Sequence, residues 1–165
     1  MKKIGLISDT HSFLHPRVKA CFKDCDEIWH AGDIGNLALA DELADFKAFK
    51  AVYGNIDGEE IRKCYPEDLW LRREGLQIWM THIGGYPPKY NNRVREILEN
   101  RVPDIFICGH SHILKVVRDE QRNRMLCLNP GAVGRQGVHK TRTMLRFEII
   151  SGKLKNMEAI ELGPK

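Results

Sequence analysis

No stretch of the 165 residues approaches the roughly 18 consecutive apolar residues that a membrane-spanning helix needs. The N-terminal Met1-Lys2-Lys3 followed by Ile4-Gly5-Leu6-Ile7 superficially resembles a signal peptide, but the apolar part stops at Asp9, too short for an h-region. The stretch reads as a first strand, and the protein as cytoplasmic with no membrane partner. Cysteine is sparse: residues 21, 25, 64, 108 and 127 are an odd set in no disulfide-like framework. Cys21 and Cys25 stand at helical spacing with no second pair to complete a zinc site, so reduced and mostly buried thiols are expected. No cysteine is followed by arginine six residues on, and there is no Gly-x-x-x-x-Gly-Lys loop or Gly-x-Ser-x-Gly elbow. Those absences exclude cysteine-nucleophile, P-loop and serine-elbow chemistry. Asp24-Cys25-Asp26 mimics the start of an aspartate-nucleophile motif, yet it falls late in a helix and lacks the following Thr or Val. Strong charge of one sign is also missing. A formal +4 fits a phosphate-bearing substrate, but it is mild and a solvated surface is the default reading.

The length fits one domain spanning 1–165 with a continuous core, and we find no repeat, low-complexity segment or linker. Residues 3–8 read as a strand that delivers Asp9-Thr10-His11. From Pro16, apolar positions at Val18, Cys21, Phe22 and Cys25 have helical spacing. Glu27–His30 is a short strand stopping at Gly32-Asp33. Asn36 caps a helix carrying Leu39, Ala40, Leu43 and Phe46. Phe49–Tyr53 is a third strand and ends in Gly54-Asn55-Ile56-Asp57. Glu59–Cys64 suggests a short helix, and Leu76–Met80 a strand that delivers Thr81-His82. A helix around Val94, Ile97 and Leu98 is capped by Asn91 or Asn92. The strand Asp104–Cys108 runs into Gly109-His110-Ser111-His112. Beyond it the pattern turns to hairpins, 114–118 with 125–128 and 141–150 with 154–162.

Three successive strands thus end in a glycine or turn residue beside a carboxylate or amide, and ligands bind at strand carboxyl ends in open α/β sheets. The collected strand-end residues are Asp9, His11, Asp33, Asn55, His82, His110 and His112. If the His-x-His stretch is extended, both imidazoles project to one side with Cα atoms about 7 Å apart. Oxygen and imidazole donors with one shared carboxylate suit two divalent cations, and Asp33 is the candidate for sharing. By default His30 is a structural or supporting residue on a buried strand. His139, with Arg135, Lys140 and Arg142, is by default a solvated basic face, with phosphate binding as the alternative. His15 starts a helix close to His11, and Trp29, Trp70 and Trp79 read as core.

Asp-x-His, Gly-Asp, Gly-Asn, a strand-end His and Gly-His-x-His, in that order, resemble the calcineurin-like metallophosphoesterases. The resemblance covers residues 3 to about 135. It implies an α/β fold, a four-layer αββα sandwich of two mixed sheets flanked by helices, with a dinuclear metal site at the strands' C-terminal ends. Carried over by position, Asp9, His11, Asp33 and His112 hold one metal, and Asp33, Asn55, His82 and His110 the other. The implied activity is hydrolysis of a phosphoester by in-line attack of a metal-bridging hydroxide, with Asp33, Asn55 and His110 as the catalytic set. Manganese is the favoured cofactor, with Fe, Zn or Ni as alternatives. The short length is most similar to the small bacterial and archaeal phosphodiesterase branch, which includes the retromer subunit Vps29. The sequence departs from the common Gly-Asn-His pattern at Ile56, which removes the usual proton donor and favours diesters. Ile83-Gly84-Gly85 replaces a frequent Gly-His after His82, and Asn129-Pro130-Gly131-Ala132 resembles the branch's Asn-Pro-Gly-Ser turn. Two alternatives stay open: a non-catalytic protein-binding scaffold on the same fold, and a nuclease. Nucleic acid is disfavoured because no long basic groove with interleaved aromatics is evident. A homodimer or homotetramer is compatible with the resemblance.

Overall fold

The computed structural model describes residues 1–165. The elements run β1 (Lys2–Ile7), α1 (Arg17–Cys21), β2 (Glu27–His30), α2 (Leu37–Phe46), β3 (Ala48–Ala51), α3 (Glu59–Cys64), β4 (Asp68–Arg73) and β5 (Leu76–Thr81). Then come β6 (Gly85–Tyr86), β7 (Lys89–Tyr90), α4 (Asn92–Asn100), β8 (Ile105–Ile107), β9 (Leu114–Asp119), β10 (Met125–Pro130), β11 (Thr141–Ile150) and β12 (Lys153–Pro164). One five-stranded sheet has the order β12-β11-β1-β2-β3, and the second β4-β5-β8-β10-β9. Both are mixed. Strands β1, β2 and β3 are parallel, as are β5, β8 and β10, while β11, β12, β4 and β9 run antiparallel to their neighbours.

Side-chain alternation along the central strands creates the layers. Ile4 and Leu6 of β1, Ile78 and Met80 of β5, and Ile105 and Ile107 of β8 meet between the sheets with Trp29 and Phe147. The opposite face of the first sheet packs Ile7 and Ile28 against Val18, Phe22, Leu39 and Leu43 from α1, α2 and their connections. On the second sheet's outer face, Trp79 and Phe106 pack against Val94 and Leu98 of α4. This is the expected four-layer α/β sandwich.

Three details differ from the periodicity reading. Helix α1 stops at Cys21, where Phe22 adopts a non-helical cap conformation, and Cys25 is reached by a turn. The third strand is shifted, ending at Ala51 rather than Tyr53. Strand β4 has no clean alternation, since most of its residues are half-buried. Polar ties fix it instead: Asp68 accepts from Arg93 and from the Trp79 indole, and Arg73 pairs with Glu27.

His30 sits at the end of β2, fully buried. Its Nδ1 accepts from the Gly32 N–H (3.1 Å), so its Nε2–H faces the Thr10 hydroxyl at 2.9 Å. Burial pushes its pKa down to about 4, outweighing the nearby carboxylates. The folded state therefore favours the neutral ring. Its contribution is complete above the unfolded value of 6.5 and is lost as pH falls from there to about 4. This titration is expected to cost about 3 kcal/mol of stability over that window. Chemical denaturation at stepped pH checks this. In His30→Gln, which gains no proton, the slope should flatten, and an unchanged slope would assign the loss to carboxylates.

Candidate metal centre

All seven strand-end residues converge at one edge, where the carboxyl ends of β1, β2, β3, β5 and β8 open. Asp9, His11 and His112 bring one donor atom each within 4.8 Å of one another, and Asp33, His82 and His110 form a second such group. Asp33 lies between them, its Oδ2 at 3.5 Å from His11 Nε2 and 3.2 Å from His82 Nε2. Asn55 Oδ1 joins the second group, 3.1 Å from His82 Nε2 and 3.0 Å from His110 Nδ1.

The backbone is bent to achieve this. Asp9 (φ 53°), His11 (44°), Asp33 (56°), His110 (69°) and His112 (62°) all occupy the left-handed region, which costs a non-glycine residue about 1–3 kcal/mol. The extended geometry expected for His110-Ser111-His112 is therefore not found. The strand ends at Ile107, and two left-handed residues aim the two imidazoles into different groups. Asn129 holds that loop: its Nδ2 donates to the Gly109 carbonyl (2.9 Å) and to Ser111 Oγ (3.1 Å). Asp57, not singled out from the sequence, is buried and accepts from the Ile34, Gly35 and Gly54 N–H groups. It thereby ties the Asp33 loop to the Asn55 loop. Its one sequence signal is its place at the end of Gly-Asn-Ile-Asp.

Polar groups in the centre face one another without hydrogen-bond partners. Buried Asp9 Oδ1 and His11 Nε2 have none. His82 Nδ1 donates to the Ala31 carbonyl (2.7 Å), so in the neutral ring the Nε2 lone pair points at Asp33 and Asn55 oxygens. Acceptors aimed at acceptors call for positive charge between them. Burial alone raises the Asp9 pKa, but His11, His112, His82 and Ser8 outweigh it and hold the carboxyl well below its ordinary range. Asp33 is likewise raised by burial and lowered further by His82 and the Ile56 N–H. Burial lowers His82, while Asp33 and Asp9 raise it to a net increase, and His11 is raised chiefly by Asp9. Two ionised carboxylates thus stabilise cations in this pocket. Hard oxygens with imidazoles suit a borderline divalent metal, and the two donor groups fit one such ion each, the orphaned atoms lying in the first.

The second group is the open one, with Asn55 and His110 exposed and Asp9 buried. A cavity of about 380 Å³ adjoins it, lined among others by Asn55, His82, Tyr53, Arg62, Ile83 and Arg93. Ile56 is 46% exposed beside Asn55 and offers no titratable group. His15 is half-buried against Phe13 and joins neither group. Trp29 and Trp79 are core, whereas Trp70 is half-buried, stacked on Trp79 and covered by Arg101. The expectation of a solvated face for His139 is overturned. It is buried, with Nδ1 at 3.2 Å from His112 Nδ1, and burial lowers its pKa.

Residues 1–152 match the family model described as the calcineurin-like phosphoesterase superfamily domain. A protein of Methanothermobacter thermautotrophicus named "Probable metallophosphoesterase" is 30% identical over 136 residues, covering 78% of this chain and 76% of the relative. Among solved structures, an archaeal phosphodiesterase superposes with a TM-score of 0.76 at 22% identity, over 97% of this chain and 99% of the other. The Zn-complexed Vps29 of Entamoeba histolytica gives 0.70 at 18% identity, over 96% and 98%. The two structural likenesses speak for the fold. No helix of this chain is long and apolar enough to cross a membrane. Paired acid–imidazole groups at the strand ends, the layered fold and the match over nearly the whole length lead to one assignment: the chain belongs to the calcineurin-like phosphoesterase superfamily.

Proposed function

We propose that the chain is a metal-dependent phosphodiesterase, with residues 1–165 working as one catalytic domain. The observation that carries this reading is the pair of donor groups meeting at Asp33. Asp9, His11, Asp33 and His112 would hold one divalent ion, and Asp33, Asn55, His82 and His110 the other. Manganese is favoured, and Fe, Zn or Ni suit the same donors. When bound, the two ions supply Lewis acidity to the phosphoryl oxygens and lower the pKa of an attacking water.

The chain's own residues do the rest. Asp33 spans the two groups and sets their spacing. His82 is oriented by the Ala31 carbonyl, and Ser8 together with the His110 N–H aligns Asp9 through Oδ2. Asn55 and His82 line the adjoining cavity, and exposed His110 reaches Asn55 from beside it, so the ester enters from that side. As ligands Asn55 and His110 are poor proton donors, and Ile56 gives none. The leaving oxygen must therefore be stable as an anion or take its proton from water, which favours activated esters and diesters over alkyl monoesters.

The deciding experiment compares bis(p-nitrophenyl) phosphate with p-nitrophenyl phosphate, using metal-stripped protein given Mn, Ni, Zn or Mg in turn. Diester turnover should exceed monoester turnover by about 10-fold or more, and Ile56→His, restoring a general acid, should narrow that ratio. Preference for the monoester in the unmodified protein would sink the diester reading. Two bound metals without turnover would favour the scaffold reading, against which the complete donor set counts.

A further inference from the structure

His139 lies 27 residues from His112 in sequence, yet the two Nδ1 atoms are 3.2 Å apart. Its other ring nitrogen, Nε2, is 3.0 Å from the Gly134 carbonyl. A carbonyl only accepts, so Nε2 of His139 carries the hydrogen and Nδ1 of the neutral ring is a lone pair. The hydrogen between the two imidazoles then belongs to His112 Nδ1. In the neutral ring that leaves His112 Nε2 as a lone pair directed at the Asp9 group, 3.2 Å from Asp9 Oδ1.

We propose that His139 is a positioning residue that selects the metal-binding tautomer of His112 and fixes its ring in the Asp9–His11–His112 group. The inference rests on the reading that this group binds a cation. The surrounding loop is built around the contact. The Gly134 N–H donates to the Asp9 carbonyl (3.0 Å), so the ligand Asp9 anchors the residue that orients His139. Gly137 (φ +116°) has no room for a side chain: a Cβ there would come within 1.8 Å of His112 Nδ1. The chain from Asp9 through Gly134, His139 and His112 thus closes on Asp9 again. The second group has a different device, since His82 is oriented directly by a backbone carbonyl. The two sites are therefore separable through His139.

The test uses two readouts. Long-range proton–nitrogen NMR of the metal-stripped protein, at a pH where both rings are neutral, should give His112 as the Nδ1–H tautomer and His139 as Nε2–H. Manganese titration against a competing chelator should then find one of two sites weakened about 10–100-fold in His139→Phe, the range for losing a ligand's hydrogen-bond partner. The other site should keep its affinity. His139→Gln, whose amide oxygen again accepts, should restore most of the loss, a recovery that packing alone would not bring. His112 found as Nε2–H, or equal loss at both sites, or unchanged affinity in folded His139→Phe, each overturns the proposal. Unmodified protein that binds no divalent ion overturns the underlying metal reading as well.

Discussion

Asp33→Asn is expected to lower kcat/KM on a chromogenic diester by about 10³-fold, or roughly 4 kcal/mol of transition-state stabilisation. The size follows from position. Asp33 Oδ2 reaches both donor groups, 3.5 Å from His11 Nε2 and 3.2 Å from His82 Nε2, whereas Asp9 Oδ1 comes only to 3.8 Å from His82 Nε2. The opposite oxygen is engaged, accepting the Ile56 N–H at 3.0 Å. An amide would keep the shape but withdraw the negative charge between the two donor groups, so two bound divalent ions would repel each other with less screening. Removing one stabilising donor from a developing oxyanion costs about 10²–10³-fold, and under the proposed ligand set Asp33 would serve both ions. Metal analysis should find less than two equivalents bound, with the thermal midpoint of the metal-free protein moved by only a few degrees. A variant retaining above a tenth of the activity would remove Asp33 from the centre.

The sequence disclosed most of this centre because its residues follow strands with strong signals. Ile4-Gly5-Leu6-Ile7 and Ile105-Phe106-Ile107 are buried runs, and each is followed within a few residues by the donors it delivers, Asp9 and His11 for the first and His110 and His112 for the second. What periodicity does not encode is how the turn is made. His110 and His112 were expected side by side on extended chain, whereas left-handed backbone at both sends them to separate groups. Strand β4 carries no periodic signal because its half-buried residues depend on Arg93 and Glu27, partners supplied by distant elements. His139 was hidden for a similar reason. Charged neighbours at Arg135, Lys140 and Arg142 suggest solvent, and only the turn through Gly137 returns it to His112. Local pattern reports burial on a regular element, while contacts made by irregular loops arise only when the sheets have assembled.

Gly109→Ala should expose that dependence, costing about 1–3 kcal/mol of stability and about 10²-fold in phosphoesterase activity. The glycine is needed for space: its φ lies outside the left-handed region. A Cβ there would stand 2.1 Å from Ser8 Oγ, 2.9 Å from Asp9 Oδ2 and 3.1 Å from the Ala31 carbonyl. These atoms belong to the first sheet's edge, while Gly109 itself donates to the His82 carbonyl of the second at 2.9 Å. Relief by moving Ser8 breaks its 2.7 Å hydrogen bond to Asp9. Relief by moving the loop pulls the His110 N–H from Asp9 Oδ2. Either movement shifts donors of both groups, and a displacement of about 1 Å in a catalytic array suffices for a 10²-fold loss. Gly58→Ala is the matched control, since a Cβ there meets nothing within 4 Å, and it should melt close to the unmodified protein. Full activity in Gly109→Ala would mean that the two sheet edges can separate by an ångström without disturbing the centre, and catalysis would then depend on the ions' own coordination preferences more than on a rigid frame.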